Sequence, residues 1–183
     1  VIGSASVLRA ATEAEAEACV DLWVAAVATR DGVPESDAVR SRARAKFAAQ
    51  RVALVVAVAV AVDPEPDPTD AGSPSAAAGA VSGFALVTAP GNGMPGDPAD
   101  AAYLSLLAVD PRAQGRGLGR SLLRAAVAEA ARAGHPRCLL HALEDNEPAL
   151  ALYRSAGFRP VGASFPHALS GRPTRAWITG PAA

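Results

Sequence analysis

The sequence predicts a mixed α/β domain: a central twisted sheet of about six to seven strands, partly antiparallel and partly parallel, with helices on both faces. Three observations predict it. The elements read strand, two helices, three strands, helix, strand, helix and two strands, which is not a regular βαβ alternation. Apolar residues recur at helical spacing in some segments and as β-branched runs in others. A glycine turn then joins an apolar run directly to an amphipathic helix at 107–119, LAVDPRAQGRGLG, as a crossover between strands requires.

Residues 5–9 (ASVLR) read as the first strand and 11–32 as the first helix. Thr12 and Glu15 form a capping box. Ala16, Val20, Trp23, Val24 and Val27 fall on one helical face, and Gly32 and Pro34 stop the helix. A second helix runs from about Glu35 to Gln50. It carries Arg40, Arg42, Arg44 and Lys46, whose steps of two scatter them around the axis, so they read as mostly solvated. Residues 52–62 have the β-branched content of a buried strand, and 79–87 return as its hairpin partner. Between them, 63–78 (DPEPDPTDAGSPSAAA) is rich in proline, acids and small residues, the mark of a loop. A second loop, 88–100, is richer still in turn residues. Both read as surface insertions in one domain spanning 1–183, not as domain boundaries.

The next strand is 101–109, followed by the glycine turn and a helix that Gly134 and Pro136 end. Residues 137–143 (RCLLHAL) form a strand, 145–158 hold a short helix closed by Gly157, and FRPVGAS and TRAWIT supply two tail strands. Antiparallel hairpins therefore come first and a crossover later. No internal repeat is evident.

A length of 183 residues suits one domain with an ample core. A net charge of −1 gives no bulk case for nucleic acid or an anionic membrane as partner. The longest apolar run, 53–62, is too short to span a bilayer. The start lacks the charged, apolar and small-residue pattern of a secretory leader, and Val1, not an initiator residue, is expected of a fragment or a processed chain. Cys19 and Cys138 form no CxxC pair, so a reducing, cytoplasmic setting is expected and a disulfide between them is unsupported. His135, His141 and His167 lack metal-ligand spacing, so no metal is expected.

Gly115, Gly117 and Gly119 bare the backbone at the mouth of a helix, whose unpaired N–H groups and dipole favour an anion. A nucleotide P-loop would need a glycine and lysine that are absent, and GxGxxG would need glycine where Arg120 stands. Gln114-Gly115-Arg116-Gly117-Leu118-Gly119 instead resembles Q/R-x-x-G-x-G/A, the pyrophosphate loop of the GNAT acyltransferase superfamily. LLAVDP before it resembles that family's central strand ending. Residues 146–158, NEPALALYRSAGF, resemble its N-x-x-A-x-x-x-Y-x-x-x-G-F signature, with Asn146, Ala149, Tyr153, Gly157 and Phe158 in the matching places. The matched core spans about 101–160.

The resemblance implies transfer of an acyl group, most often acetyl, from coenzyme A to a primary amine of a small molecule or protein, by direct attack in a ternary complex. Main-chain N–H groups across Gln114 to Gly119 would hold the diphosphate of acetyl-CoA. Arg112, Arg116 and Arg120 would add positive charge, with Arg116 the expected direct contact, although solvation explains it equally well. Leu107, Ala108 and Val109 would pair with the pantetheine arm as an added strand, where the family's central strand splays from its neighbour, and the Val109 N–H would serve the oxyanion. Tyr153 matches the general acid that protonates the leaving thiolate; its alternative is an ordinary helix-to-sheet contact beside Ala149, Leu152 and Ala156. Asn146 is either a cofactor contact or a helix N-cap.

The base stays open. Many relatives place a glutamate on the central strand, whereas Tyr103, Leu104, Ser105 and Leu106 offer none. Ser105 through a water, Glu144, Asp145, His141 or a water chain remain. The acceptor site is expected near 29–36 and 165–177, with Asp31, Glu35 or Asp37 for an ammonium and Trp23 or Trp177 as an apolar wall. The acceptor amine is unidentified, and the dimers frequent in the family make a homodimer an expectation. The competing class is a non-catalytic acyl-CoA-binding sensor or interaction module on the same fold. A partner-binding scaffold that uses the long loops is a weaker third.

Overall fold

The computed structural model describes residues 5–60 and 79–180, and in it the elements follow the expected order. They are β1 (Ala5–Ala10), α1 (Ala16–Asp31), α2 (Asp37–Ala48), β2 (Arg51–Val60), β3 (Val81–Thr88), β4 (Ala102–Val109), α3 (Leu118–Arg132), β5 (Cys138–Leu143), α4 (Glu147–Ser155), β6 (Arg159–Pro166) and β7 (Pro173–Thr179). The expected loop at 63–78 and the expected end of the second strand at 61–62 lie outside the described residues.

One seven-stranded sheet runs β1-β2-β3-β4-β5-β7-β6. The first four strands pair antiparallel, β4 and β5 pair parallel across the α3 crossover, and β7 lies antiparallel between β5 and β6. Strand alternation builds two cores. On β2, Ala53, Val55 and Ala57 face α3 and α4, packing with Leu122, Leu123, Ala126 and Leu150. Leu54, Val56 and Val58 face α1 and α2, packing with Cys19, Val20 and Ala43. Helices therefore cover both faces, as expected.

Several details differ from the sequence reading. The first helix opens with a 3-10 turn, Glu13–Glu15, before α1. Glu15 reaches back to the Thr12 N–H at 2.8 Å as the capping box requires, and Arg9 holds both its oxygens. The basic residues of α2 are not uniformly solvated. Arg40 pairs with Asp21 and Arg44 with Glu17, tying α2 to α1, and Lys46 turns inward toward β4. Cys19 and Cys138 are both buried free thiols, in the cores on opposite faces.

Candidate active site

β4 and β5 hold together at only two positions, Ala102↔Cys138 and Tyr103↔Leu139. Beyond them the strands part, although β4 continues to Val109 and stays paired with β3 throughout. A bulge marks the parting: consecutive Leu86 and Val87 face Leu106 and Leu104, leaving Ser105 as the extra residue. The bulge switches the faces of β4, since Ala102 and Leu104 join the α3 side and Leu106 and Ala108 the α1 side. The Ser105 hydroxyl is buried and spent on Thr88 at 2.7 Å, so it is part of the bulge.

Ladder geometry sets what the free edge of β4 offers. The Asp110 N–H donates to the Ser82 carbonyl at 2.9 Å, just past the Gly83↔Val109 pair. In an antiparallel ladder hydrogen-bonded pairs alternate. Val109 and Leu107 therefore aim N–H and C=O away from β3, into the gap. One of these groups is engaged, because the Gln114 side chain donates to the Val109 carbonyl at 3.2 Å.

The chain then makes a 3-10 turn, Pro111–Ala113, capped by the Asp110 carboxylate, and enters the glycine turn. Gly115 and Gly117 have φ of 78° and 77°. This left-handed region is one that side chains disfavour. Gly117 caps α3, whose first-turn N–H groups open at the end of the gap. Arg112 is held by Asp110.

A cleft of about 1370 Å³ joins these parts; Leu107, Ala108, Val109, Gln114, Gly115, Gly117, Leu118, Gly119, Arg120, Asn146 and Tyr153 all line it. Arg116 is exposed and stands outside that lining, so Arg120 is the arginine brought to the cleft. Asn146 caps α4, accepting from the Ala149 N–H at 3.4 Å, while also lining the cleft. Tyr153, on α4, is half-buried beside Phe158, and its hydroxyl has no hydrogen-bond partner among the described residues. Burial pushes that hydroxyl up to about 12, so it stays protonated at neutral pH.

Of the carboxylates weighed for base or ammonium binding, most are engaged elsewhere. Glu144 accepts from Ser164 and pairs with Arg175, and Asp145 pairs with Arg172, neither lining the cleft. Asp31 lines the cleft but is held by Arg30 and by Arg172 at 2.8 Å, and Glu35 lies 3.5 Å from Arg40. Trp23 lines the cleft, whereas Trp177 is buried in the α3-side core.

Sequence reasoning missed a second polar group on the cleft wall. Lys46 Nζ donates to the Ser105 carbonyl at 3.2 Å and sits 4.8 Å from the Tyr103 ring centroid. Burial, then the nearby Arg42, lowers its pKa to about 8. The Tyr103 hydroxyl lies 3.3 Å from His141 Nδ1, and His141 Nε2 lies 3.2 Å from Asp97. Asp97 comes from the 88–100 segment that had read as a surface insertion. His141 was already a candidate base, but nothing local joins it to Lys46, Tyr103 and Asp97, since four separate elements bring them together.

The mixed sheet is thus opened between its two parallel strands, with a glycine turn and a helix N-terminus at the opening. Residues 70–158 match the model of the Acetyltransferase (GNAT) family. The chain is similar to N-alpha-acetyltransferase RimI of Mycobacterium tuberculosis, 52% identical over 56 residues, which is 31% of this chain and 34% of that protein. It is similar also to mycothiol acetyltransferase of Nocardioides sp., 45% identical over 53 residues, or 29% of this chain and 18% of that protein. The matched stretch is thus about a third or less of these curated relatives. Its fold resembles the ribosomal-protein-S18-alanine N-acetyltransferase from Escherichia coli, with TM-score 0.65 and 20% identity over 98% of this chain and 97% of that one. It also resembles yncA from Salmonella typhimurium, whose structure holds its cofactor acetyl-CoA, with TM-score 0.62 and 20% identity over 98% of each chain.

Proposed function

We propose that the chain is an N-acetyltransferase that moves acetyl from acetyl-CoA to a primary amine of a small molecule or a protein. The observation that carries this reading is the gap between β4 and β5. The peptide groups of Leu107 and Val109 aim into it, the glycine turn closes one end, and Tyr153 lines it with no hydrogen-bond partner for its hydroxyl among the described residues. Leu107, Ala108 and Val109 extend a pantetheine arm as an added strand. The N–H groups from Gln114 to Gly119 and the α3 dipole receive the diphosphate, with Arg120 beside it. Asn146 fixes the start of α4 and faces the same arm. The Val109 N–H points where a carbonyl oxygen gains charge.

Tyr153 gives its proton to the departing thiolate, a role its pKa of about 12 suits because the proton is present throughout the neutral range. Attack is direct. Burial pushes Cys138 up to about 11 and Cys19 up to about 12, and neither lines the cleft, so no thiolate is placed to carry the acyl group. No metal enters this reading. The buried free thiols suit a reducing compartment, and a cytoplasmic site of action belongs to the proposal. So does the match to relatives whose names specify acetyl transfer.

The second reading is a non-catalytic acyl-CoA-binding module, favoured by the lack of a carboxylate on β4. Thiol release from acetyl-CoA with a panel of primary amines separates the two. Catalysis predicts amine-dependent release that Tyr153→Phe lowers about 100-fold with acetyl-CoA affinity retained. Tight binding without release by any amine would favour the module.

A further inference from the structure

Beside the cleft runs a chain of three ionisable groups that the mechanism above does not use, two of which, Tyr103 and His141, line it. Asp97 and His141 are nearly withdrawn from water, their side chains 13% and 9% exposed. Asp97 Oδ1 lies 3.2 Å from His141 Nε2, and its Oδ2 accepts the Met94 N–H at 2.6 Å. The segment is shaped around this carboxylate, because a Cβ on Gly93 would lie 2.1 Å from Asp97 Oδ2. The His141 ring packs between Tyr103 and the edge of Phe165, at centroid distances of 5.2 and 5.1 Å. A carboxylate only accepts, so Nε2 carries the imidazole proton and Nδ1 is left to accept from the Tyr103 hydroxyl at 3.3 Å. Tyr103 and His141 line the same cleft as Tyr153.

We propose that Tyr103, His141 and Asp97 are the proton-accepting relay of the transfer, with the Tyr103 hydroxyl meeting the acceptor nitrogen. This rests on the acetyltransferase reading. As the N–C bond forms and the C–S bond breaks, the nitrogen's proton passes to the Tyr103 oxygen while the Tyr103 proton moves to His141 Nδ1. Asp97 stabilises the imidazolium. Tyr153 protonates the thiolate, and solvent returns the His141 proton to Tyr153, so the products are amide and free thiol. The arrangement puts acid and base on one cleft, and it supplies a base although β4 has no carboxylate.

The charged and titratable groups facing His141 are Asp97 from the 88–100 segment, Tyr103 from β4 and Lys46 from α2; Phe165 from β6 is neutral. Burial lowers the His141 pKa below its ordinary 6.5, with Asp97 opposing and Lys46 reinforcing. The imidazole is therefore neutral at pH 7 and able to accept. Activity falls as pH drops through this lowered pKa and is full above it.

The test uses the full chain with acetyl-CoA and primary amines that include an alanine-initiated peptide. His141→Gln and Tyr103→Phe are each expected to lower kcat about 100-fold, with KM for acetyl-CoA unchanged and, in His141→Gln, the acid limb of kcat/KM lost. Gly93→Ala, whose Cβ would lie 2.1 Å from Asp97 Oδ2 and 3.3 Å from the Tyr103 ring, disturbs the relay from its Asp97 end and is expected to lower kcat about 10-fold. Unchanged kcat in His141→Gln, or an acid limb that survives it, would overturn the relay. Should the wild type transfer to no amine, the acetyltransferase reading fails instead. Nitrogen-15 NMR of the imidazoles then still decides the arrangement: it requires His141 protonated at Nε2 with a pKa below 6.5, and the Nδ1–H tautomer contradicts it.

Discussion

Gly117 and Gly119 stand two residues apart and do different work. Gly117 has φ 77° and nothing within 4 Å of where a Cβ would stand, so conformation alone excludes a side chain there. Gly119 has ordinary angles, and its Cβ would meet Leu152 at 3.5 Å and Val109 at 3.6 Å, both normal contacts. Gly117→Ala is therefore expected to cost about 1 kcal/mol and to weaken acetyl-CoA binding by re-aiming the turn. Gly119→Ala should leave both within error; thermal unfolding and calorimetry check the pair. At this scale the sequence was legible where spacing is local. The glycine turn and the Asn146-to-Phe158 signature each occupy one short stretch. Asp97, Tyr103, Lys46 and His141 come from three strands-and-loop neighbourhoods and a helix, and their meeting depends on tertiary structure that no window of sequence contains.

Among elements, the segment between β6 and β7 is fastened by one side chain. Arg172 donates to both oxygens of Asp145 and, at 2.8 Å, to Asp31 at the end of α1. Arg30 and then Arg172 hold Asp31 at about 2, below its ordinary 3.8. A depressed carboxylate contributes stability that is full above 3.8 and is lost as pH falls through about 2. Arg172→Met is expected to remove about 1 kcal/mol at pH 7 and to flatten part of that acid loss, read by urea unfolding at pH 7 and pH 2.5. Helix and strand identities were legible from periodicity, and the ends moved by a few residues where turns tighten. Insertion of β7 between β5 and β6 was not, because nothing local in a strand names its partner. The β4 bulge was also hidden, since its evidence is a change of face that only the two cores reveal.

For the whole molecule, the two cores keep β4 in register with β3 while β5 departs, and the cleft is the space this leaves. Bulk composition said little about it: a charge of −1 gives no bulk case for nucleic acid and points to no ligand. The central claim is that the gap and the glycine turn together form a coenzyme A site. Calorimetric titration of acetyl-CoA, with NAD as the comparison ligand, tests it most directly. The account predicts saturable one-to-one binding of acetyl-CoA, weakened by Gly117→Ala, and none of NAD. A folded sample that binds NAD, or that fails to bind acetyl-CoA, would contradict it.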